Sequence, residues 1–223
     1  MSKVSLIGTG NVAKALGSRL ALKGRPVSYG TRDLSNLKLA ELKQQQDATV
    51  KTIPEAVDWA DVLILAVPGM RDRAAAEQLA SSLGPGVAGK VVIDATNPLT
   101  PYPGLEVLWD GSSGGELLQA ALPTAHVFKA FNSMWTPLMQ QPDALGQPIS
   151  MMFAGPAGPG REQVADVISD VGFEPVYVGP IRYARNLEAL AELWIHLAVP
   201  SAGFTQESFG MHFAFQVSRK EAK

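Results

Sequence analysis

Two kinds of apolar pattern alternate along the chain. Short apolar runs bounded by polar or glycine positions predict strands at Val4–Ile7, Val27–Gly30, 48–52, Asp61–Pro68, Lys90–Pro98, Ser150–Ala154 and Glu174–Val178. A further strand begins at Ala125 and runs into an aromatic, amide-rich segment ending at Trp135. Between these runs the apolar residues recur at helical spacing. This predicts helices after residue 10, over 34–46, Ile53–Ala60, Arg71–Leu83, Glu116–Ala121, Gly160–Val171 and about Tyr183–Ala198. The runs at 61–68 and 90–98 are apolar without alternation, as expected of central parallel strands covered on both faces. The βαβα order with short connections predicts an α/β fold with a doubly wound parallel sheet. Residues 1–125 are read as the nucleotide-binding domain and 126–223 as a smaller C-terminal α/β part. The stretch 97–113, rich in proline and glycine, is the one long irregular connection, which in a compact domain points to function or disorder.

The first strand leads into a glycine turn. Gly8, Gly10 and Ala13 have the spacing G-x-G-x-x-G/A, followed by the amphipathic stretch 14–20. A glycine at position 8 permits a tight exit from the strand, and one at position 10 lets a pyrophosphate reach the main chain. The small Ala13 keeps the helix close to the sheet, so that the unpaired N–H groups at the helix start face the phosphates. The competing reading is an ordinary tight turn. The end of the second strand distinguishes the two nicotinamide dinucleotides, because an acid there holds a ribose 2′-hydroxyl whereas a basic or hydroxyl residue meets a 2′-phosphate. Thr31 and Arg32 favour NADP; Asp33, one residue on, is the competing signal for NAD.

Composition narrows the field. Lysines and arginines are scattered and the net charge is −2, so there is no basic footprint for nucleic acid. The 223 residues contain no cysteine, which excludes disulfides, thiol nucleophiles and cysteine-ligated metals. No apolar run reaches the roughly 20 residues that span a bilayer. The chain enters a strand within three residues, leaving no room for a signal peptide, and a cytoplasmic location is expected. His126, His196 and His212 have no metal-ligand spacing, and no metal site is expected.

The chain resembles the NADP oxidoreductases that use the deazaflavin coenzyme F-420, and the cytoplasmic reductase domains of the six-transmembrane ferric reductases. The residues that carry the resemblance are Gly8 to Ala13, Gly30-Thr31-Arg32, Ala66-Val67-Pro68, Val127 to Ser133, Gly172 to Pro175, Gly179-Pro180 and Ala184-Arg185. It implies a Rossmann fold in which Gly8, Thr9, Gly10, Asn11 and Val12 carry the pyrophosphate and Thr31 and Arg32 the 2′-phosphate. Val67, Pro68, Asn97 and Asn132 lie along the nicotinamide half by the same resemblance. It further implies direct hydride transfer from NADP(H) to a stacked flavin or deazaflavin ring, in which positioning does most of the catalysis. That agrees with a chain offering no convincing acid–base pair, so no catalytic side chain is assigned.

The segment from Phe131 to Trp135 and the loop after Asn97 depart from the deazaflavin group, and both follow strands at the ligand-binding edge. Phe131, Met134 and Trp135 are therefore expected to wall the pocket of a small-molecule acceptor. Lys129 and Asn132 are similar to the lysine and asparagine of hydroxyacid dehydrogenases. An extended chain between them would point the two to opposite sides, against a catalytic pair. The stripe Leu187, Leu190, Leu193, Trp194 and Leu197, with Phe204, Phe209, Phe213 and Phe215 after it, predicts core packing and a homodimer contact. The readings that remain open are a reductase of a ferric chelate, quinone or imine, and a non-catalytic NADP-binding regulatory module.

Overall fold

The computed structural model describes residues 1–36, 39, 42, 49–101, 104–108, 111–199 and 209–218. The helix expected over 34–46, the start of the strand expected at 48 and the ring of Phe204 lie wholly or largely outside these residues.

The strands are β1 (Val4–Ile7), β2 (Val27–Thr31), β3 (Thr49–Thr52), β4 (Val62–Leu65), β5 (Val91–Asp94), β6 (His126–Lys129), β7 (Ser150–Ala154) and β8 (Glu174–Gly179). The helices are α1 (Asn11–Leu22), α2 (Ile53–Trp59), α3 (Arg73–Leu83), α4 (Gly114–Ala121), α5 (Thr136–Gln140), α6 (Pro159–Val171) and α7 (Ala184–Ala198). The strands form one eight-stranded sheet in the order β3-β2-β1-β4-β5-β6-β7-β8. β1 to β6 are parallel neighbours throughout. β7 joins β6 antiparallel through Lys129 and Ala154, and β8 runs parallel to β7. The doubly wound α/β sheet expected from sequence is present, with two reversed strands at one edge. The sheet crosses the boundary between residues 125 and 126 without interruption, because β6 pairs with β5 along its length.

Consecutive residues of the buried strands serve opposite faces. Leu6, Ile64, Ile93 and Phe128 pack on the side of α1 and α6, whereas Ile7, Leu63, Leu65, Val92 and Val127 pack on the side of α2, α3 and α4. β1, β4 and β5 are buried at every position, which explains why their sequences show no apolar–polar alternation, Ser5 and Asp94 being their only polar residues. β8, at the open edge, is half-exposed and tolerates Pro175, whose missing N–H an edge strand can spare. Sheet order reverses between β1 and β4, and this switch point places the cleft described below.

β4 and β5 end at Leu65 and Asp94, short of the expected Pro68 and Pro98, and two further elements differ from the sequence expectation. The strand begun at 126 ends at Lys129, and α5 follows from Thr136, started by Pro137 in its first turn. The buried stripe of α7 is Ala184, Leu187, Glu188, Ala191, Trp194 and Ala198, so of the expected stripe Leu190, Leu193 and Leu197 lie outside it, and Leu193 is half-exposed. The C-terminal segment lies along this helix. The ring of Phe213 stacks on Trp194 at 5.0 Å, and the Trp194 indole N–H donates to the Phe213 carbonyl at 3.1 Å. Phe209 and Phe215 extend the aromatic set edge-to-face from Phe213.

Candidate functional site

A cleft of about 570 Å³ opens at the carboxyl ends of β1, β2 and β4. Its lining includes Gly8, Thr9, Gly10, Asn11, Val12, Thr31, Arg32, Val67 and Pro68, nine residues expected from sequence to hold a nucleotide. Three sequence segments meet there because β1 is flanked by β2 and β4. A second cavity of about 250 Å³ adjoins it and shares Ile7, Arg32, Ile53, Val67 and Pro68.

The glycine turn is built for close backbone approach. Gly8 has φ +117°, and a Cβ there would come within 2.3 Å of the Ala66 carbonyl oxygen. Only glycine lets the β1 and β4 loops close on each other at this point. Above Gly10 a Cβ would meet nothing within 4 Å, so the turn faces open space. Gly10 is the N-cap of α1, no side chain caps it, and the first turn contains no acid. The positive end of a 12-residue helix is thus left for an anion to satisfy, as a pyrophosphate does.

Arg32 and Asp33 stand in different surroundings. Thr31 and Arg32 line the cleft. The Asp33 carboxylate is turned into its own loop, where Oδ1 accepts from the Ser35 N–H at 2.8 Å and the Ser35 hydroxyl at 2.5 Å. The hydroxyl first, and then the N–H, hold Asp33 below its ordinary carboxylate value. The acid that would mark an NAD site is engaged, whereas the guanidinium borders the cavity.

Asn97 and Asn132 are next to each other, but neither lines the cleft. The Asn97 amide donates to the Asn132 carbonyl at 2.7 Å, and the Asn132 amide donates to Asn97 Oδ1 at 3.0 Å and to the Leu187 carbonyl at 2.8 Å. This reciprocal clasp joins the loops after β5 and β6 to α7. The Asn132 Oδ1 and Thr96 Oγ1 atoms beside it are buried without a partner.

Phe131 requires a correction. It is 1% exposed, with its ring 6.5 Å from that of Phe173, so it belongs to the core and cannot wall an acceptor pocket. Its φ of +64° is the cause, because the left-handed residue swings the chain out of the line of β6. Such a conformation costs about 1–2 kcal/mol for a residue with a side chain, and the buried ring together with the Phe131 N–H bond to Met151 Sδ holds it. The same turn removes the premise that Lys129 and Asn132 point apart, since both reach the loop after β5 and α7. Lys129 is nevertheless wholly buried and bonded to Asp94 and Thr96, which does not suit a proton donor to a ligand.

Met134 and Trp135 are half-buried and directly precede Thr136, a lining residue that sequence reasoning missed. The Trp135 ring meets His212 edge-on at 4.8 Å, so the C-terminal segment reaches this corner of the site. The Thr-Pro pair opening α5 was the available signal for Thr136. Ala66, also in the lining, belonged to the matched segment Ala66-Val67-Pro68 without being assigned to the site, and Ala95 gave no signal. None of the described residues of 97–113 lines the cleft. Part of this stretch folds on itself through a Leu99–Val107 bridge and is tied to α7 by the Val107 N–H and Glu192 at 2.8 Å. Among the described residues no group of acids and histidines is placed to hold a metal, and no helix is long and apolar enough to cross a membrane.

Sheet order, switch-point cleft and uncapped helix define a Rossmann-type dinucleotide-binding fold. Residues 3–98, which contain most of the cleft, match the family described as NADP oxidoreductase, coenzyme F420-dependent. The metalloreductase STEAP3 of Rattus norvegicus is 30% identical over 190 residues, 84% of this chain and 36% of that protein. The F420-dependent NADP reductase of Methanothermobacter marburgensis is 36% identical over 124 residues, 50% of this chain and 54% of that protein. The chain therefore spans about a third and about half the length of these two curated relatives. Among solved structures, a protein of Arthrobacter sp. FB24, provisionally assigned as an F420-dependent NADP reductase, superposes with a TM-score of 0.82. It is 27% identical, with 98% of this chain and 100% of that one covered. An imine reductase of Aspergillus terreus shares the fold at a TM-score of 0.64 and 22% identity, over 86% of this chain and 60% of that one.

Proposed function

We propose that the chain is an oxidoreductase that binds NADP(H) in this cleft and passes a hydride to a planar flavin-type or deazaflavin acceptor. The observation that carries the reading is the convergence of the open Gly10 turn, the uncapped start of α1 and Thr31–Arg32 on one cleft. The N–H groups of α1 receive the pyrophosphate, and Arg32 with the Thr31 hydroxyl receives the 2′-phosphate. Val67, Pro68, Ala95 and Thr136 form the far end, where the nicotinamide is held. Reduced nicotinamide supplies the hydride when bound. The protein's part is to fix the ring, to exclude water and to leave one ring face open to the acceptor. The F420 relatives point to a deazaflavin, and the likeness to the metalloreductase STEAP3 brings reduction of a ferric chelate as the second reading. NADPH oxidation assayed with F420, FMN, FAD, a quinone, a cyclic imine and a ferric chelate tests this. Turnover with one of the first three supports the proposal, turnover with the quinone, imine or ferric chelate alone replaces the acceptor class, and NADPH binding without turnover in any arm favours a regulatory module.

Met134 and Trp135 are assigned to the acceptor side of the pocket, next to Thr136. Trp135→Ala is expected to lower turnover at least fivefold while NADPH affinity changes less than twofold. Equal losses in both would instead assign Trp135 to folding. We further propose that the chain forms a homodimer through α7 and the C-terminal segment, where Leu193, Phe209 and Met211 remain exposed. Light scattering at tens of micromolar is expected to give twice the 23.7 kDa chain mass. A monomer would end this part of the proposal.

A further inference from the structure

Behind the far end of the cleft lies an ionic cluster with unequal numbers of positive and negative groups. Lys129 at the end of β6, Asp94 at the end of β5 and Glu188 on α7 are all wholly buried. The Lys129 ammonium donates to Asp94 Oδ2 at 2.9 Å and to the Thr96 carbonyl at 2.6 Å, and it lies 2.9 Å from Glu188 Oε1. Its three N–H bonds are therefore used. Every carboxylate oxygen is hydrogen-bonded as well. Asp94 Oδ1 accepts the Thr96 N–H at 2.9 Å, Glu188 Oε2 accepts the Gly114 N–H at 3.1 Å, and Glu188 Oε1 also accepts the Gly115 N–H at 3.3 Å.

Each of the four carboxylate oxygens thus faces a donor, which favours the ionised form of both acids. Two ionised acids share one ammonium, which leaves a buried excess of one negative charge. The amino end of α4 offsets at most about half of it. Burial, the largest influence on Glu188, pushes its carboxyl above the ordinary value, as an excess negative charge in a dry site should. None of the three side chains lines the cleft. Ala95 does, and it sits between Asp94 and Thr96, both of which the cluster holds.

We propose that Asp94, Lys129 and Glu188 form a charge-positioning cluster that favours the oxidised nicotinamide over the reduced one and so makes the bound nucleotide a stronger hydride donor. The inference rests on the reading that the nicotinamide lies at the Ala95 end of the cleft. Hydride transfer takes a hydrogen nucleus and both bonding electrons from the reduced ring to the acceptor ring. The reduced ring is neutral and the oxidised ring carries one positive charge. A fixed negative charge behind the cleft wall stabilises only the second, and water screens it poorly there. The three residues act through the ring's charge rather than by contact, as positioning residues.

The dissociation constants of NADP+ and NADPH, measured by calorimetry on the whole chain, test this. A unit charge acting across the protein interior is expected to change their ratio several-fold. In Glu188→Gln, NADP+ should weaken about three- to tenfold relative to NADPH. A purely structural role would weaken both together and leave the ratio within twofold, which would overturn the proposal. Asp94→Asn removes the same charge from the opposite side of Lys129 and should shift the ratio in the same direction, so the test survives if one variant fails to fold. If neither nucleotide binds, the cofactor reading and this inference fall together. If both bind and the ratio stays put in the variants, only the inference falls.

Discussion

Lys129→Met is expected to lower the free energy of unfolding by about 3–5 kcal/mol, the usual cost of removing one partner from a buried ion pair. Methionine fills much the same volume, so little of the loss comes from a cavity. The loss comes from Asp94 and Glu188, which remain buried with no cation between them, and from the Thr96 carbonyl, which loses its donor. In the intact protein burial by itself would push the Lys129 ammonium down, but Asp94 and Glu188 outweigh it and raise the group above its ordinary value of 10.5. For a raised lysine the stabilisation is complete below about pH 10.5 and disappears as the pH climbs through the higher folded value. Without Lys129 the sign is carried by the acids. Glu188, which burial already pushes up, loses the ammonium that held it down, so the folded variant keeps a proton there that the unfolded chain releases in the ordinary carboxylate range. The folded variant then binds more protons, and its stability falls as the pH rises. Urea unfolding at pH 5 and pH 8 should show the larger deficit at pH 8. A deficit below about 1 kcal/mol at both would mean that the cluster contributes nothing to the fold.

This cluster was almost invisible in the sequence. Glu188 stands in Leu187-Glu188-Ala189-Leu190 and reads as an exposed helical acid, and Asp94 as the polar end of a strand. Their burial depends on β5, β6 and α7 meeting, a contact among segments far apart in the chain that no local pattern encodes. The elements themselves were legible, because strands buried on both faces have no alternation and a parallel order requires helices between them. The nucleotide cleft was legible for a related reason. A glycine turn, a strand end and an apolar run ending in Val67-Pro68 each carry a local signature, and the switch point of the sheet gathers them.

The acceptor side was the least legible. Reading residues 125–135 as one extended run assumed regular backbone, and one left-handed residue, Phe131, broke it. That turn sends the Phe131 ring into the core, brings Lys129 and Asn132 to the same surroundings, and leaves Met134, Trp135 and Thr136 near the cleft. An aromatic residue at positive φ has no sequence signature, since burial imposes it against the residue's own preference. Asn97 and Asn132, assigned to the nicotinamide by resemblance, hold each other and Leu187 instead of lining the cavity. The clasp ties the loops after β5 and β6, on which Ala95 and Thr136 stand, to α7.

Arg32→Ala is expected to weaken NADPH binding about 10- to 100-fold while NADH binding changes less than twofold. Arg32 borders both cavities and carries the positive charge at the end of β2. A charge-assisted bond to a phosphate contributes about 1.5–3 kcal/mol, and about 1.4 kcal/mol is tenfold in affinity. Arg32 is exposed before the nucleotide arrives, so screening places the effect toward the lower part of that range. The salt dependence of NADPH binding should also flatten in the variant. The rival assignment makes Asp33 the ribose-binding acid. It would have to release Ser35, which holds Asp33 Oδ1 through both N–H and hydroxyl, before meeting a ribose. Asp33→Ala is therefore expected to loosen the loop and to change NADPH and NADH binding by the same small factor. Titration of both nucleotides against both variants separates the assignments. An unchanged NADPH constant in Arg32→Ala, with NADH binding lost in Asp33→Ala, would transfer the cofactor preference to the acid.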